Sequence, residues 1–408
     1  MVKSMRTKQF FKDIKIVDFT WIGAGTHIIE YLVHYGAEAI KVESELRPDP
    51  IRLLPPFKDN QPGLERGYEH QYLSENKLSI KLNLRNPKGI EVAKKLVARA
   101  DIVIDNWTAG TMQTFGLNYE ELRKIKPDII QVSSCMQGQT GPAATHGGSG
   151  LTLTSLVGFN YLTGWPDRPP AGWYSPYTDQ VSPIFAAVAL MAALDYRRRT
   201  GKGQFLDLSQ YECCLHFLAP VILDYTVNGR EFMRRGNKSS RAAPHGVYRC
   251  HGDDRWCAIA VYTDKEWQGF CQVIGNPGWT TEPRFATLLG RIENGDELDK
   301  RVEEWTISRS PEEVMALMQA AGVAAGVVAN GEDMWNDPQL KHYESFCEHE
   351  HPVLGSVVGR RRAVDLSKMD WEIHRAPLLG EHTEHVCTQI LGMSDEEFVG
   401  LMAEGIFE

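Results

Sequence analysis

The stretch Ile14-Lys15-Ile16-Val17-Asp18, running into Phe19-Thr20-Trp21-Ile22-Gly23-Ala24-Gly25, decides the class of fold. Its first five residues read as a short strand, and Phe19–Gly25 as a turn carrying two glycines. Thr26–Tyr35 follows as a helix ended by Gly36, and Ala39–Val42 as the next strand, closed by Glu43. Strand, turn, helix and strand in this order open a parallel α/β sheet. Gly23-Ala24-Gly25 starts a dinucleotide fingerprint, but Ile28 stands where the third glycine belongs, so the pattern is incomplete. The glycines still permit a phosphorylated cofactor to approach the backbone closely.

The same alternation continues outward. Ser79–Asn83, Ala100–Asn106, Asp128–Ser133 and Phe205–Leu208 read as strands; Pro87–Ala98, Thr111–Phe115 and Tyr119–Ile125 read as helices. This fits one parallel sheet covered on both faces. Residues 1–12 read as a polar arm, and Ser44–Gly67, rich in Pro, Arg and Asp, as a long surface loop. Two glycine-rich loops, Gln137–Pro142 and Gly147–Gly150, fall where α/β proteins hold ligands, beyond the carboxyl ends of strands; flexible connectors are the alternative. The character changes near Asp224. Gly229–Arg241 carries four arginines and one lysine among polar residues and reads as a solvated linker. A smaller α+β block follows. The expected organisation is therefore residues 1–224 for the first part of a large domain, 225–335 for a small domain with linkers, and 336–408 as a return segment.

Composition sets the bounds. The chain has 408 residues, 42% of them hydrophobic, and a formal charge of −9. That is enough for a large core, and the acidic balance argues against broad nucleic-acid binding. No stretch reaches the roughly 18 uncharged apolar residues of a membrane span. Met1–Lys12 lacks an apolar signal segment. The eight cysteines are too scattered for a disulfide framework, so a reducing cytoplasm is the expected location.

Asp179 stands out chemically. It precedes Ser182-Pro183, a helix cap and first-turn pair, and the nearly all-apolar run Ile184–Leu194. Arg197-Arg198-Arg199 and Gly201 mark that helix's end. Asp179 is thus expected in a loop at the positive end of a buried helix, a place for a reactive carboxylate or for an ordinary turn Asp. Other chemistry is weaker. His349/His351 and His382/His385 lack the His-Glu-x-x-His pattern or cysteine pairs of a metal site and read as surface histidines. Ser149 lacks the Gly-x-Ser-x-Gly elbow, and Cys135 has no partner histidine placed by sequence. A carboxylate nucleophile attacking an activated acyl group would form a mixed anhydride. It needs N–H donors for the oxyanion and exclusion of water.

Several blocks resemble a known family. They include Asp18-Phe19-Thr20, Gly36-Ala37-Glu38-Ala39-Ile40-Lys41-Val42-Glu43, Asn76-Lys77-Leu78-Ser79-Ile80 and Gly138-Gln139-Thr140-Gly141-Pro142. Tyr177-Thr178-Asp179, Arg199-Thr200-Gly201-Lys202-Gly203-Gln204, Pro244-His245-Gly246-Val247-Tyr248 and Ala376-Pro377-Leu378-Leu379-Gly380-Glu381-His382-Thr383 complete the set. In number and order, from about 18 to 383, they resemble the class III CoA-transferases of the formyl-CoA transferase and carnitine CoA-transferase type. The resemblance implies a large Rossmann-like parallel-sheet domain built from both chain ends, a smaller α+β domain, and two chains interlocked as linked rings. It implies that Asp179 is the nucleophile, passing through an aspartyl-acyl anhydride and an aspartyl-CoA thioester. Gly138 and Gln139 are the expected loop donors. Ile22, Gly23, Ala24, Arg47, Lys77, Asn106, Met136 and Gln137 are the expected CoA-side residues, with Arg52 and Arg85 as further basic candidates. CoA and acyl-CoA act as substrates, a free carboxylic acid as acceptor, and neither a metal nor a tightly bound cofactor is expected.

The sequence departs from the family at Gly23, where a Gln is common, and near Met136. Trp21, Trp107, Phe159, Tyr161, Trp165, Trp173 and Tyr174 fall in proposed active-site loops. As a set they suggest a hydrophobic or aromatic acid, such as a benzylsuccinate, with succinyl-CoA as donor; core packing is the rival reading of each. The partner is expected to be a second identical chain or a related CoA-transferase subunit. Two other readings stay open: an acyl-CoA racemase using His146 and Asp179, and a non-catalytic subunit.

Overall fold

The computed structural model describes residues 9–360 and 363–408. Residues 1–8 of the expected polar arm lie outside them. Six strands form a parallel sheet: β1 Lys15–Asp18, β2 Glu38–Glu43, β3 Lys77–Lys81, β4 Ile102–Asp105, β5 Ile130–Cys135 and β6 Gln204–Ser209. Their order is β3-β2-β1-β4-β5-β6, the doubly wound arrangement whose switch point lies between β1 and β4.

Alternation along each strand sends side chains to two cores. Val17, Ile40, Ile80 and Val103 meet the helix Pro87–Val97 and, from the far end of the chain, Val386, Phe398 and Phe407. Ile16, Ile102, Ile104 and Val132 meet Ile28, Leu32, Ala186 and Leu190 on the other face. Asn86 caps Pro87–Val97 by accepting the Lys88 N–H at 3.0 Å. The C-terminal segment also closes the β3 edge. Ser79 N–H donates to His382 Nδ1 (3.2 Å), His382 N–H to the Ser79 carbonyl (2.9 Å), and Lys81 N–H to Thr383 Oγ1 (3.1 Å).

The chain divides into two compact units. The first runs to Phe159 and takes in Gly172–Glu231 and Lys341–Glu408; the second comprises Asn160–Ala171 and Phe232–Leu340. The second unit has an antiparallel sheet of β7 His245–Arg249, β8 Trp256–Ala260 and β9 Ala324–Val327, packed by Phe270, Phe285, Val302 and Met318. Its helix Asp264–Val273 begins with a capping box, Thr263 with Glu266. An antiparallel hairpin, β10 Phe346–His351 and β11 Gly355–Arg360, belongs to the first unit.

Several expectations are corrected. The helix expected over Thr26–Tyr35 is two short helices, Gly23–Ile28 and Glu30–His34. Ser44–Gly67 is not simply a surface loop. Asp49 and Arg52 within it are buried, with Lys41 2.9 Å from Asp49, and Arg52 bonded to Glu43 and Glu65 at 2.9 Å each. His351 is also buried, accepting the N–H groups of Val353 and Leu354.

The long apolar helix starts at Tyr177, not Pro183, and runs to Thr200 with Gly201 in a left-handed conformation after it. Pro183 therefore lies inside the helix and has no N–H for the Asp179 carbonyl. Ser182 does not cap; its hydroxyl donates to the Thr178 carbonyl at 2.7 Å. Among the described residues, this helix is long and apolar enough to cross a membrane by length and composition. It nonetheless buries Val181, Ala186, Leu190 and Ala193 against the first unit.

Candidate active site

Asp179 occupies the first turn of Tyr177–Thr200, its N–H donating to the Pro176 carbonyl at 2.9 Å. Its carboxylate lines a cavity of about 590 Å³ at the carboxyl ends of the central strands. Two glycines stand beside it. A Cβ at Gly23 would lie 3.5 Å from Oδ2, an ordinary contact, whereas a Cβ at Gly150 would lie 2.8 Å from both carboxylate oxygens. The carboxylate thus has room only because Gly150 lacks a side chain.

The neighbours of Asp179 give it little charge compensation. Thr178 Oγ1 lies 3.4 Å from Oδ1. Burial pushes the Asp179 pKa up to about 6, only partly opposed by Thr178 and by His27. Removing a carboxylate from water disfavours its charged form. At neutral pH it is ionised, but more basic than an exposed aspartate.

The turn Trp21–Gly23 forms the wall beside Asp179. Trp21 N–H donates to Asn106 Oδ1 (2.8 Å), and Asn106 Nδ2 donates back to the Trp21 carbonyl (2.6 Å). Ile22 has φ 54° and ψ −144°, a conformation close to glycine-only territory. For a β-branched residue that costs roughly 1–3 kcal/mol and persists only if its surroundings impose it. Arg47 covers the Trp21 ring at 4.8 Å, and Trp21 packs edge-on against Trp107 at 5.9 Å. Arg85 lines the same cavity. An arginine pair near aromatic rings suits the phosphates and base of a nucleotide.

Ile22, Gly23, Ala24, Arg47, Asn106 and Met136 all line the cavity with Asp179. Lys77 does not. It is buried and bonded to Asp18 at 2.8 Å, its ammonium paired inside the sheet and away from the cavity. Arg52 is likewise committed to two glutamates. Gln137, Gly138 and Gln139 are absent from the lining, and the Gln139 N–H donates to Asp207 Oδ1 at 2.9 Å. The glycine loop at Asp179 is Gly147–Gly150 instead. Ser149 there makes a capping box with Thr152, opening the helix Gly150–Val157. His146 is exposed and outside the cavity, which leaves an Asp–His pair for racemisation without support.

Of the seven aromatics expected in the site, Trp21 and Trp107 line the cavity. Phe159 and Trp173 cluster with Tyr177, at 5.3 and 4.5 Å between ring centroids. Tyr161 and Trp165 belong to the second unit, and Tyr174 is fully exposed. The sequence reading missed Asp49 and Gly150. Asp49 was hidden in a Pro-rich stretch; Gly150 was quoted as one glycine among several, with nothing to single it out. Among the described residues, no group of three or more His, Cys, Asp or Glu side chains is arranged to hold a metal.

The model of CoA-transferase family III matches residues 11–383. The chain is 31% identical to the succinyl-CoA–D-citramalate CoA-transferase of Chloroflexus aurantiacus, covering 99% of this chain and all of that protein. It is 29% identical to human succinyl-CoA:glutarate CoA-transferase, over 97% of this chain and 89% of that one. A solved CAIB/BAIF family protein from Brucella suis is similar in structure, with a TM-score of 0.85 at 28% identity, covering 94% of this chain and all of that one. The chain belongs to the class III CoA-transferase family and is a class III CoA-transferase.

Proposed function

We propose that this enzyme moves CoA from succinyl-CoA to a second dicarboxylic acid, with Asp179 as the covalent nucleophile. The observation that carries the proposal is the Asp179 carboxylate, raised in basicity by burial and left accessible by Gly150, in the cavity that also holds Arg47 and Arg85. An Asp179 oxygen attacks the thioester carbonyl. The C–S bond breaks, CoA leaves as thiolate, and a succinyl-aspartyl anhydride remains. The thiolate attacks the aspartyl carbonyl, releasing succinate and leaving an aspartyl-CoA thioester. The acceptor carboxylate attacks that thioester and expels the thiolate again, which then attacks the acceptor's acyl carbonyl. The new acyl-CoA departs and Asp179 is free.

The substrate class rests on the two relatives named for succinyl-CoA transfer to D-citramalate and glutarate, both dicarboxylic acids. The aromatic lining that suggested an arylalkyl acid is thinner than the sequence promised, and its members, Trp21 and Trp107, lie beside Arg47. Benzylsuccinate, itself a dicarboxylic acid, stays within the class.

The test is a panel of free acids offered with succinyl-CoA: citramalate, glutarate, benzylsuccinate, oxalate and formate. The dicarboxylic acids of four or more carbons are expected to give the highest kcat/KM. Equal or better turnover of formate would remove the substrate assignment. Incorporation of solvent deuterium into an acyl-CoA without CoA exchange would remove the transfer reaction itself.

We also propose that the enzyme acts as an interlocked dimer. The helix Ala219–Asn228 is apolar yet has no buried residue, exposing Leu223, Tyr225 and Val227, and Tyr177–Thr200 exposes Ile184 and Val188. A second copy would cover such faces. Native mass measurement showing a fully active monomer would contradict this; an inactive homodimer that gains activity with a related subunit would make the acting species a hetero-oligomer.

A further inference from the structure

Ile22 is held in its unfavourable conformation by something buried beneath it. The Ile22 N–H donates to Asp49 Oδ1 at 2.9 Å, and the same oxygen accepts the Ile51 N–H at 3.0 Å. The other carboxylate oxygen takes Lys41 Nζ at 2.9 Å, and Lys41 also donates to the Thr20 carbonyl at 2.9 Å. Asp49 is 1% exposed and Lys41 fully buried. Two residues before Ile22, Thr20 is tied to Asp18 by both its N–H (2.8 Å) and its hydroxyl (2.6 Å). The residue after Ile22 is Gly23, whose missing side chain faces Asp179.

We propose that Asp49, itself oriented by Lys41, is a positioning residue for the reaction. It holds the Trp21–Gly23 turn in the conformation that sets the wall beside the Asp179 carboxylate. Asp49 touches no substrate in this account and acts through the Ile22 backbone. The inference rests on Asp179 being the nucleophile only for its kinetic readout; its structural readout is independent of that.

The geometry explains why a β-branched residue tolerates φ 54° here. A backbone N–H aimed at a buried carboxylate is a strong, directional bond, and breaking it would leave Asp49 with an unsatisfied lone pair away from water. Asn106 clamps Trp21 from the other side. Without Asp49, the turn is free to relax to negative φ. Gly23 then shifts against Asp179, and displacements of about 1 Å at a reacting centre cost on the order of 100-fold in rate.

The test is a double-mutant cycle with Asp49→Ala and Ile22→Gly. Single-turnover release of CoA from succinyl-CoA is measured in the wild type, each single variant and the double variant. Asp49→Ala is expected to slow acylation about 30- to 100-fold. In the Ile22→Gly background, where glycine adopts the conformation unaided, the same change should cost less than about 5-fold. Equal losses in both backgrounds would show that Asp49 acts only through general stability and overturn the proposal. Asp49→Asn keeps an acceptor oxygen for Ile22; it is expected to retain more activity than Asp49→Ala, and it replaces that variant if alanine prevents folding. A crystal structure of the Asp49 variant supplies the independent readout: Ile22 at negative φ supports the proposal, and Ile22 unchanged at positive φ with Gly23 unmoved overturns it. Wild-type protein that releases no CoA at all would count against the proposed function, while the structural readout would still decide the role of Asp49.

Discussion

Asp18 and Asp179 lie on the same end of one sheet, yet burial treats them in opposite ways. Burial pushes the Asp18 carboxyl up, but the ammonium groups of Lys77 and Lys41 outweigh it and hold it below its ordinary value. Asp179 is bonded to no ammonium group; the Thr178 hydroxyl and His27 oppose burial only in part, so burial wins and carries it to about 6. Asp105 behaves like Asp179: burial raises it to about 6 against bonds from Ser133 and Gln131. The lesson is energetic. A carboxylate paired with lysine inside a protein helps to fix a turn; one left with neutral neighbours costs stability at neutral pH.

The sharpest way to break the comparison is Asp179→Asn. Its kcat/KM should fall by at least about 1,000-fold, as expected for loss of a covalent nucleophile. The same variant should unfold at higher temperature at pH 8, gaining about 1–3 kcal/mol, because the folded carboxylate is penalised once ionised. The sign follows from a folded pKa above the unfolded one. The penalty is absent below about pH 4 and complete above about pH 6, so the gain should vanish in acid. Calorimetry at pH 4 and pH 8 checks this.

Asp18→Ala should do the reverse, losing about 3–5 kcal/mol by stranding Lys77 in the core. Denaturant titration measures it, and a loss below about 1 kcal/mol would contradict the structural role assigned to the pair.

Gly150→Ala comes next in size. With its Cβ 2.8 Å from both Asp179 oxygens and closer still to the rigid Pro176 ring, it forces the turn before Tyr177 to shift; kcat should fall about 10- to 100-fold, with a loss of stability alongside. Gly23→Ala meets the same carboxylate at 3.5 Å and should change kcat less than about 5-fold. Steady-state kinetics on the two variants tests whether the crowding is one-sided, as the contrast requires.

The smallest effect is a matter of conditions. The log of kcat/KM should drop below about pH 6 with a slope near one, as Asp179 takes up a proton. In Asp105→Asn, which leaves Asp179 in place, that limb should remain.

Much of this arrangement was legible in the sequence. Strand identity followed from β-branched runs such as Ile102-Val103-Ile104, whose two-residue period sends Val103 to one core and its neighbours to the other. Asp179 and Gly23 stood out from their local pattern. Lys77 did not, because a buried lysine and a phosphate-binding lysine look alike until the facing Asp18 is placed. Loop choice was equally opaque. Gly138 and Gly150 both lie in glycine-containing loops, and only tertiary packing turns Gln139 toward Asp207 and Gly150 toward Asp179. The helix start misled for a local reason: Ser182-Pro183 has the form of a cap, yet Ser182 bonds back to Thr178 and the helix runs through. The β10–β11 hairpin, with its polar Glu348-His349-Glu350 run, gave no strand signal at all.

The most direct test of the central claim is chemical trapping. The enzyme is incubated with succinyl-CoA, quenched with hydroxylamine and digested, and the peptide carrying residue 179 is examined by mass spectrometry. The account predicts a hydroxamate at Asp179, formed from the aspartyl anhydride or aspartyl-CoA thioester and absent when succinyl-CoA is omitted. A hydroxamate at another carboxylate, with Asp179 unmodified under turnover, would contradict it.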